Sequence, residues 1–70
     1  MEYVEVRFVE DREVFVDERE NGKTNKILRI GAGTHSFHLG KPEDYEPKEV
    51  IKKIENTNEL EPEIIEFRKV

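Results

Sequence analysis

Apolar residues in most of this chain recur at every second position, in runs too short for anything but strands. Val4, Val6 and Phe8 alternate with Glu5 and Arg7. Val14 and Val16 share a face and Phe15 takes the other. Leu28 pairs with Ile30 in the same way, and His35 with Phe37 and Leu39, which leaves Ser36 and His38 opposite. Near the end, Ile65 and Phe67 fall on one side and Ile64, Glu66 and Arg68 on the other. A period of two over such lengths marks a strand buried on one face only.

The punctuation between the runs fits that reading. Glu10-Asp11-Arg12 is a polar turn, so residues 2–9 and 13–17 are expected to form a hairpin. Residues 17–24 are entirely polar and read as a loop, with Asn21-Gly22 as a turn signal because both residues tolerate positive φ. Gly31-Ala32-Gly33 breaks the third run from the fourth, and Gly40-Lys41-Pro42-Glu43-Asp44 is loop. Pro62 fits only at the start or edge of a last strand over Glu63 to Val70. Residues 47–55 are ambiguous. Val50, Ile51 and Ile54 fit a helix face, and Pro47 suits a first helical position. A strand there would carry Lys52 on its inner face, so periodicity slightly favours the helix. With no repeat and no low-complexity linker, the pattern describes one domain of five or six short strands, a small sandwich or barrel.

Length and charge bound what such a domain can do. A chain of 70 residues buries a thin core. Its 17 acidic residues outnumber 12 basic ones, for a net charge of −5, and no Lys/Arg stripe forms. An acidic surface of this kind repels a phosphate backbone and anionic lipid, so neither nucleic acid nor membrane is an expected partner. No segment approaches the roughly 20 apolar residues that span a bilayer. The absence of cysteine excludes a disulfide framework, a zinc knuckle and a thiol nucleophile, and favours the cytoplasm. Met1-Glu2-Tyr3-Val4-Glu5 is not the start of a signal peptide, so an envelope location would require a longer precursor. The richness in Glu and Lys, with no glutamine, resembles thermophile composition.

Several motif fragments fail on spacing. Gly22-Lys23-Thr24 imitates a phosphate-binding loop, but Asp17 stands where the first glycine belongs and a strand follows. A calcium loop with Gly22 sixth would put Arg19 third and Leu28 twelfth, which supplies no bidentate carboxylate. His35 and His38 point to opposite faces of one strand and cannot share a metal. A triad of Ser36, His35 and Asp44 fails because adjacent strand residues diverge. Gly31-Ala32-Gly33 lacks the third glycine of a dinucleotide site, since Ser36 occupies its place. Paired acids near the C-terminus have no cleft to separate their pKa values. No catalytic, cofactor-binding or metal residues are expected. Phe15, Ile27, Tyr45 and Ile64 are apolar residues assigned to loops or outward faces, and together they would form an interaction patch.

From Val14-Phe15-Val16-Asp17, through Asn21-Gly22-Lys23-Thr24, Leu28, Gly31-Ala32-Gly33-Thr34-His35 and Phe37-His38-Leu39, to Tyr45-Glu46-Pro47, the order of residues resembles the PEGA family of small β-domains. The Pro-Glu-Gly-Ala tetrapeptide is absent, Asp11-Arg12-Glu13 precedes the strand instead, and Asp44 stands where the family usually has glycine. The resemblance covers residues 13–70. It implies a strand, not a helix, over 47–55, and a small antiparallel β-sandwich of five to seven strands, Ig-like or prealbumin-like. The alternative is an α+β domain with a short helix at about 47–55. The family's members are non-enzymatic modules, and no ligand residues carry over. The expected function is therefore a non-catalytic protein-interaction or structural module, binding a protein partner or itself. A small carbohydrate- or ligand-binding domain using Tyr3, Phe15 and Tyr45 is the alternative.

Overall fold

The computed structural model describes residues 1–70 as nine strands and no helix. In chain order they are β1 (Glu2–Arg7), β2 (Glu13–Val16), β3 (Arg19–Lys23), β4 (Ile27–Ile30), β5 (Gly33–His38), β6 (Tyr45–Glu46), β7 (Val50–Ile54), β8 (Glu63–Glu66) and β9 (Arg68–Lys69). They form a small β-sandwich. One sheet has the order β4-β1-β8, the other β3-β2-β5-β7, and β6 and β9 pair as a two-stranded cap. Every pairing is antiparallel except β1 with β8, which is parallel.

The alternation read from the sequence is what fills the space between the sheets. Val4, Val6, Leu28, Ile30 and Ile65 come from the three-stranded sheet, and Val14, Val16, Phe37 and Ile54 from the four-stranded one. Phe8, Leu39, Tyr45 and Phe67 close one end of this thirteen-residue core. The edges are also tied. On one flank the Lys52 ammonium of β7 meets the Glu63 carboxylate of β8 at 2.9 Å.

Three local expectations are corrected, and the ambiguity at residues 47–55 is resolved as a strand. The runs 2–9 and 13–17 are not a hairpin: β1 pairs with β4 and β8, and β2 with β3 and β5, so Glu10-Asp11-Arg12 crosses between sheets. Thr24 makes that crossing possible. Fully buried, its Oγ1 accepts from the Arg12 amide at 2.9 Å and donates to the Glu10 carbonyl at 2.8 Å. Two backbone groups with no strand partner are thereby satisfied.

Residues 17–24 are not a loop either. The reversal is Asp17-Glu18, both at positive φ (53° and 68°), the geometry a two-residue hairpin turn requires. Residues 19–23 continue as the edge strand β3. Asn21-Gly22 lies inside it at a register shift: Phe15 faces Glu20, whereas Glu13 faces Lys23. Gly22 sits at φ 90°, where a Cβ would lie 2.4 Å from Leu28 Cδ2.

Residues 47–55 hold a strand, against their periodicity. β7 is an edge strand whose solvated side tolerates lysines, an arrangement that discourages edge-to-edge pairing. The last run is split, since Phe67 ends pairing with β1 and β9 turns to pair with β6.

Candidate interaction surface

The outer face of the three-stranded sheet is set by its register. Glu5 of β1 stands opposite Ile27 of β4 and also opposite Ile64 of β8. Because side chains in register on neighbouring strands share a face, Ile27, Glu5 and Ile64 form one row across the sheet. One step along β1, Tyr3 stands opposite Arg29, and on the other side Arg7 stands opposite Glu66. The Glu5 carboxylate accepts from Arg7 Nε at 3.2 Å, which turns the one acid of the row toward the basic residue beside it. Ile27 is 45% exposed and Ile64 half-buried. The result is an apolar strip, Tyr3, Ile27 and Ile64, crossed by a paired charge.

The four apolar residues expected to cluster do not come together. Ile27 and Ile64 share this strip. Phe15 lies on the outer face of the opposite sheet, where its ring stacks on His38 with centroids 5.0 Å apart and planes 1° apart. It also abuts the backbone of Gly40, where a Cβ would fall 2.7 Å from its Cε1.

Tyr45 is a core residue, 1% exposed, and its assignment to an interaction surface is corrected. Its ring meets Phe8 and Phe67 edge-on, at 6.2 and 5.5 Å. Its hydroxyl accepts from the Leu39 amide at 3.2 Å and donates to the Gly40 carbonyl at 2.9 Å. This is the geometry of a tyrosine corner, in which a tyrosine ties its hydroxyl back to backbone just upstream. The Arg12 guanidinium lies 5.6 Å from the same ring and reaches Asp44 Oδ1 and the Pro42 carbonyl at 2.9 and 2.8 Å. Lys69 completes the network, 2.8 Å from Asp44 Oδ2 and 2.9 Å from Glu10. Hydrogen bonds from Lys69 and then Arg12 hold the Asp44 carboxyl down at about 2, and the same contacts from Asp44 and Glu10 raise the Lys69 ammonium.

Two residues on the outer faces of the sheets were not joined to the expected patch. Ile51, 69% exposed, stands opposite Ser36 on the outer face that holds Phe15. A strand over 47–55 with Val50, Lys52 and Ile54 on its inner face already implies that Ile51 points outward, but the residue was not joined to the patch. Tyr3 was counted as an exposed aromatic but not joined to Ile27 and Ile64. Nothing in the sequence announced that its strand would be flanked by both.

The two histidines lie on opposite faces of β5, and each pairs with a carboxylate of the Asp17-Glu18 turn. His35 Nδ1 is 2.5 Å from Asp17 Oδ2, and His38 Nε2 is 2.9 Å from Glu18 Oε1. The hydrogen bond from His35, then that from the Ser36 amide, lowers the Asp17 carboxyl. Beside Ile30, at the same end of the sandwich as His35, Glu2 accepts from the amide and hydroxyl of Thr57 at 2.9 and 2.6 Å, which lowers its carboxyl too.

Comparison of the chain with protein-family models, with curated proteins and with solved structures yields no match.

Proposed function

We propose that this chain is a non-catalytic interaction module whose docking face is the strip Tyr3, Ile27 and Ile64. The observation that carries the reading is the row Ile27–Glu5–Ile64, where two outward isoleucines flank a paired glutamate on a rigid sheet. Outward apolar side chains rimmed by charge are the composition of a docking surface. The partner is a protein, a second copy of the chain included, and the net charge of −5 biases it toward a basic surface. The resemblance to PEGA domains belongs to the same proposal and rests on residue order alone.

The carbohydrate-binding reading draws less support. Of its three aromatics, Tyr45 is in the core and Phe15 is covered on one face by His38. Only Tyr3 remains outward.

The test compares the wild-type chain with an Ile27→Lys/Ile64→Lys variant by sedimentation equilibrium and by affinity capture from the host lysate. The expected result is concentration-dependent mass, or a captured protein, that the variant loses while its unfolding midpoint is unchanged. Identical behaviour of the two proteins would refute the assignment of this face.

A further inference from the structure

His35 is placed so that only its cationic form can make the bonds it makes. Its Nδ1 faces Asp17 Oδ2 at 2.5 Å, and its Nε2 faces the Gly31 carbonyl oxygen at 2.7 Å. Both partners are acceptors. A neutral imidazole has one N–H and one lone pair, so it can satisfy one of them and must turn its lone pair on the other. Only the imidazolium donates to both. His38, three residues on, is the internal contrast. Its Nδ1 accepts from the Gly40 amide at 3.0 Å, which leaves Nε2 as the donor to Glu18 and makes the neutral tautomer the fitting one.

The two ends of the His35 bridge are held unequally. Asp17 is fixed to β5 twice more: its amide donates to the Ser36 carbonyl and its Oδ1 accepts from the Ser36 amide, both at 3.0 Å. The Gly31 carbonyl meets β5 through His35. Gly31 lies in the connection from β4 to β5, the point at which the chain passes from one sheet to the other. Val16, Ile30 and His35 line the cleft beneath it, with Arg19 and Glu20 of β3 at its rim. Val16 and Ile30 are 6% and 5% exposed.

We propose that His35 is a proton-operated clip, closed as the imidazolium between Asp17 and Gly31, and that losing the proton frees the Gly31–Gly33 connection and opens the cleft over Val16 and Ile30. The neutral ring keeps its Nδ1 proton for the Asp17 carboxylate, so the Gly31 carbonyl is the partner released. Surrounding charges agree with this assignment. Asp17 is the one acid bonded to the ring. Lys52 of β7 stands directly opposite His35, but its ammonium is occupied by Glu63. Glu18 is engaged with His38, and Glu2, opposite Ile30, with Thr57. Arg19 and Glu20 bring opposite charges to the rim.

The pH window has a definite sign. The hydrogen bond from Asp17 raises the histidine above its ordinary 6.5, against the opposing effect of burial. The clip is therefore complete below 6.5 and is lost as pH rises through the raised value. At the acid end the lowered Asp17 carboxyl keeps it closed until pH falls below the ordinary 3.8.

Imidazole nitrogen NMR on the full chain from pH 5 to 9, with amide spectra at each step, tests the clip. The expected result is a His35 ring with both nitrogens protonated and a midpoint above 6.5, with Gly31, Ala32 and Gly33 amides moving at that midpoint. Asp17→Asn should lower the His35 midpoint by about one unit or more, a tenfold loss of proton affinity. A wild-type midpoint at or below 6.5, or Gly31–Gly33 amides that stay still through it, overturns the proposal even if the variant fails to fold.

Discussion

Replacing Tyr45 by phenylalanine removes one oxygen and tests whether that residue is there for the core. The ring stays, and with it the edge contacts to Phe8 and Phe67 and the stacking under Arg12. What goes is the hydroxyl that serves Leu39 N–H and Gly40 C=O. Leu39 is 2% exposed, so its amide has no ready water to take over. An orphaned buried donor costs about 1–3 kcal/mol, and the lost bond to the carbonyl adds about 1 more. We expect a loss of about 2–4 kcal/mol. At about 0.05–0.15 kcal/mol per residue a chain of this size has about 3.5–10 kcal/mol in all, so the variant should be visibly crippled. In urea, with a slope of about 1 kcal/mol per molar, the midpoint should fall by about 2–4 M at unchanged slope. A fall of less than about 0.5 M would mean that the hydroxyl bonds add nothing beyond what water supplies. The tyrosine-corner argument would then be wrong.

The strands were legible wherever the apolar spacing was strict. Val4, Val6 and Phe8, Val14 and Val16, Leu28 and Ile30, and Phe37 and Leu39 all went inward, because alternation fixes a face whatever the neighbour is. Which strand neighbours which was not legible. The hairpin expected at Glu10-Asp11-Arg12 failed because a short polar turn signals a reversal but not the sheet that follows. What decided it was a contact 12 residues away, the Thr24 hydroxyl on Arg12 and Glu10. Asn21-Gly22 shows the same limit. Positive φ was correctly sensed at Gly22, but a bulge and a turn ask for the same residue, and only pairing distinguishes them.

The candidate surface was half legible for a related reason. Ile27 and Ile64 were known to point outward, and parity alone gave that. That they flank the same glutamate followed from two pairings, one of them parallel, between strands more than 20 residues apart. Tyr45 was misjudged because a tyrosine beside a Gly/Pro-rich loop looks exposed. The hydroxyl, which argues for the surface in a sequence, is what lets this ring be buried, since the loop offers it a donor and an acceptor. The His35 bridge was invisible, because Asp17 and Gly31 meet there only after β2 has paired with β5.

Two further substitutions probe the local geometry that sequence could not supply. Gly22→Ala places a methyl within 2.4 Å of Leu28 Cδ2 at a φ of 90°, and should cost about 1–3 kcal/mol in a thermal or urea unfolding measurement. Wild-type stability in that variant would mean the bulge relaxes without cost. Asp44→Asn tests the half-exposed carboxylate at the centre of the charge network through pH. The wild-type carboxyl is held at about 2 by Lys69 and Arg12, against an ordinary 3.8. A depressed folded value means stabilisation present above 3.8 and lost as pH falls toward 2. The wild-type urea midpoint should therefore decline steeply between pH 4 and about 2, and the variant, less stable at neutral pH, should decline less over that interval. Parallel curves for the two proteins would show that Asp44 binds its proton equally in the folded and unfolded chains, and that the contacts with Lys69 and Arg12 do not persist in solution.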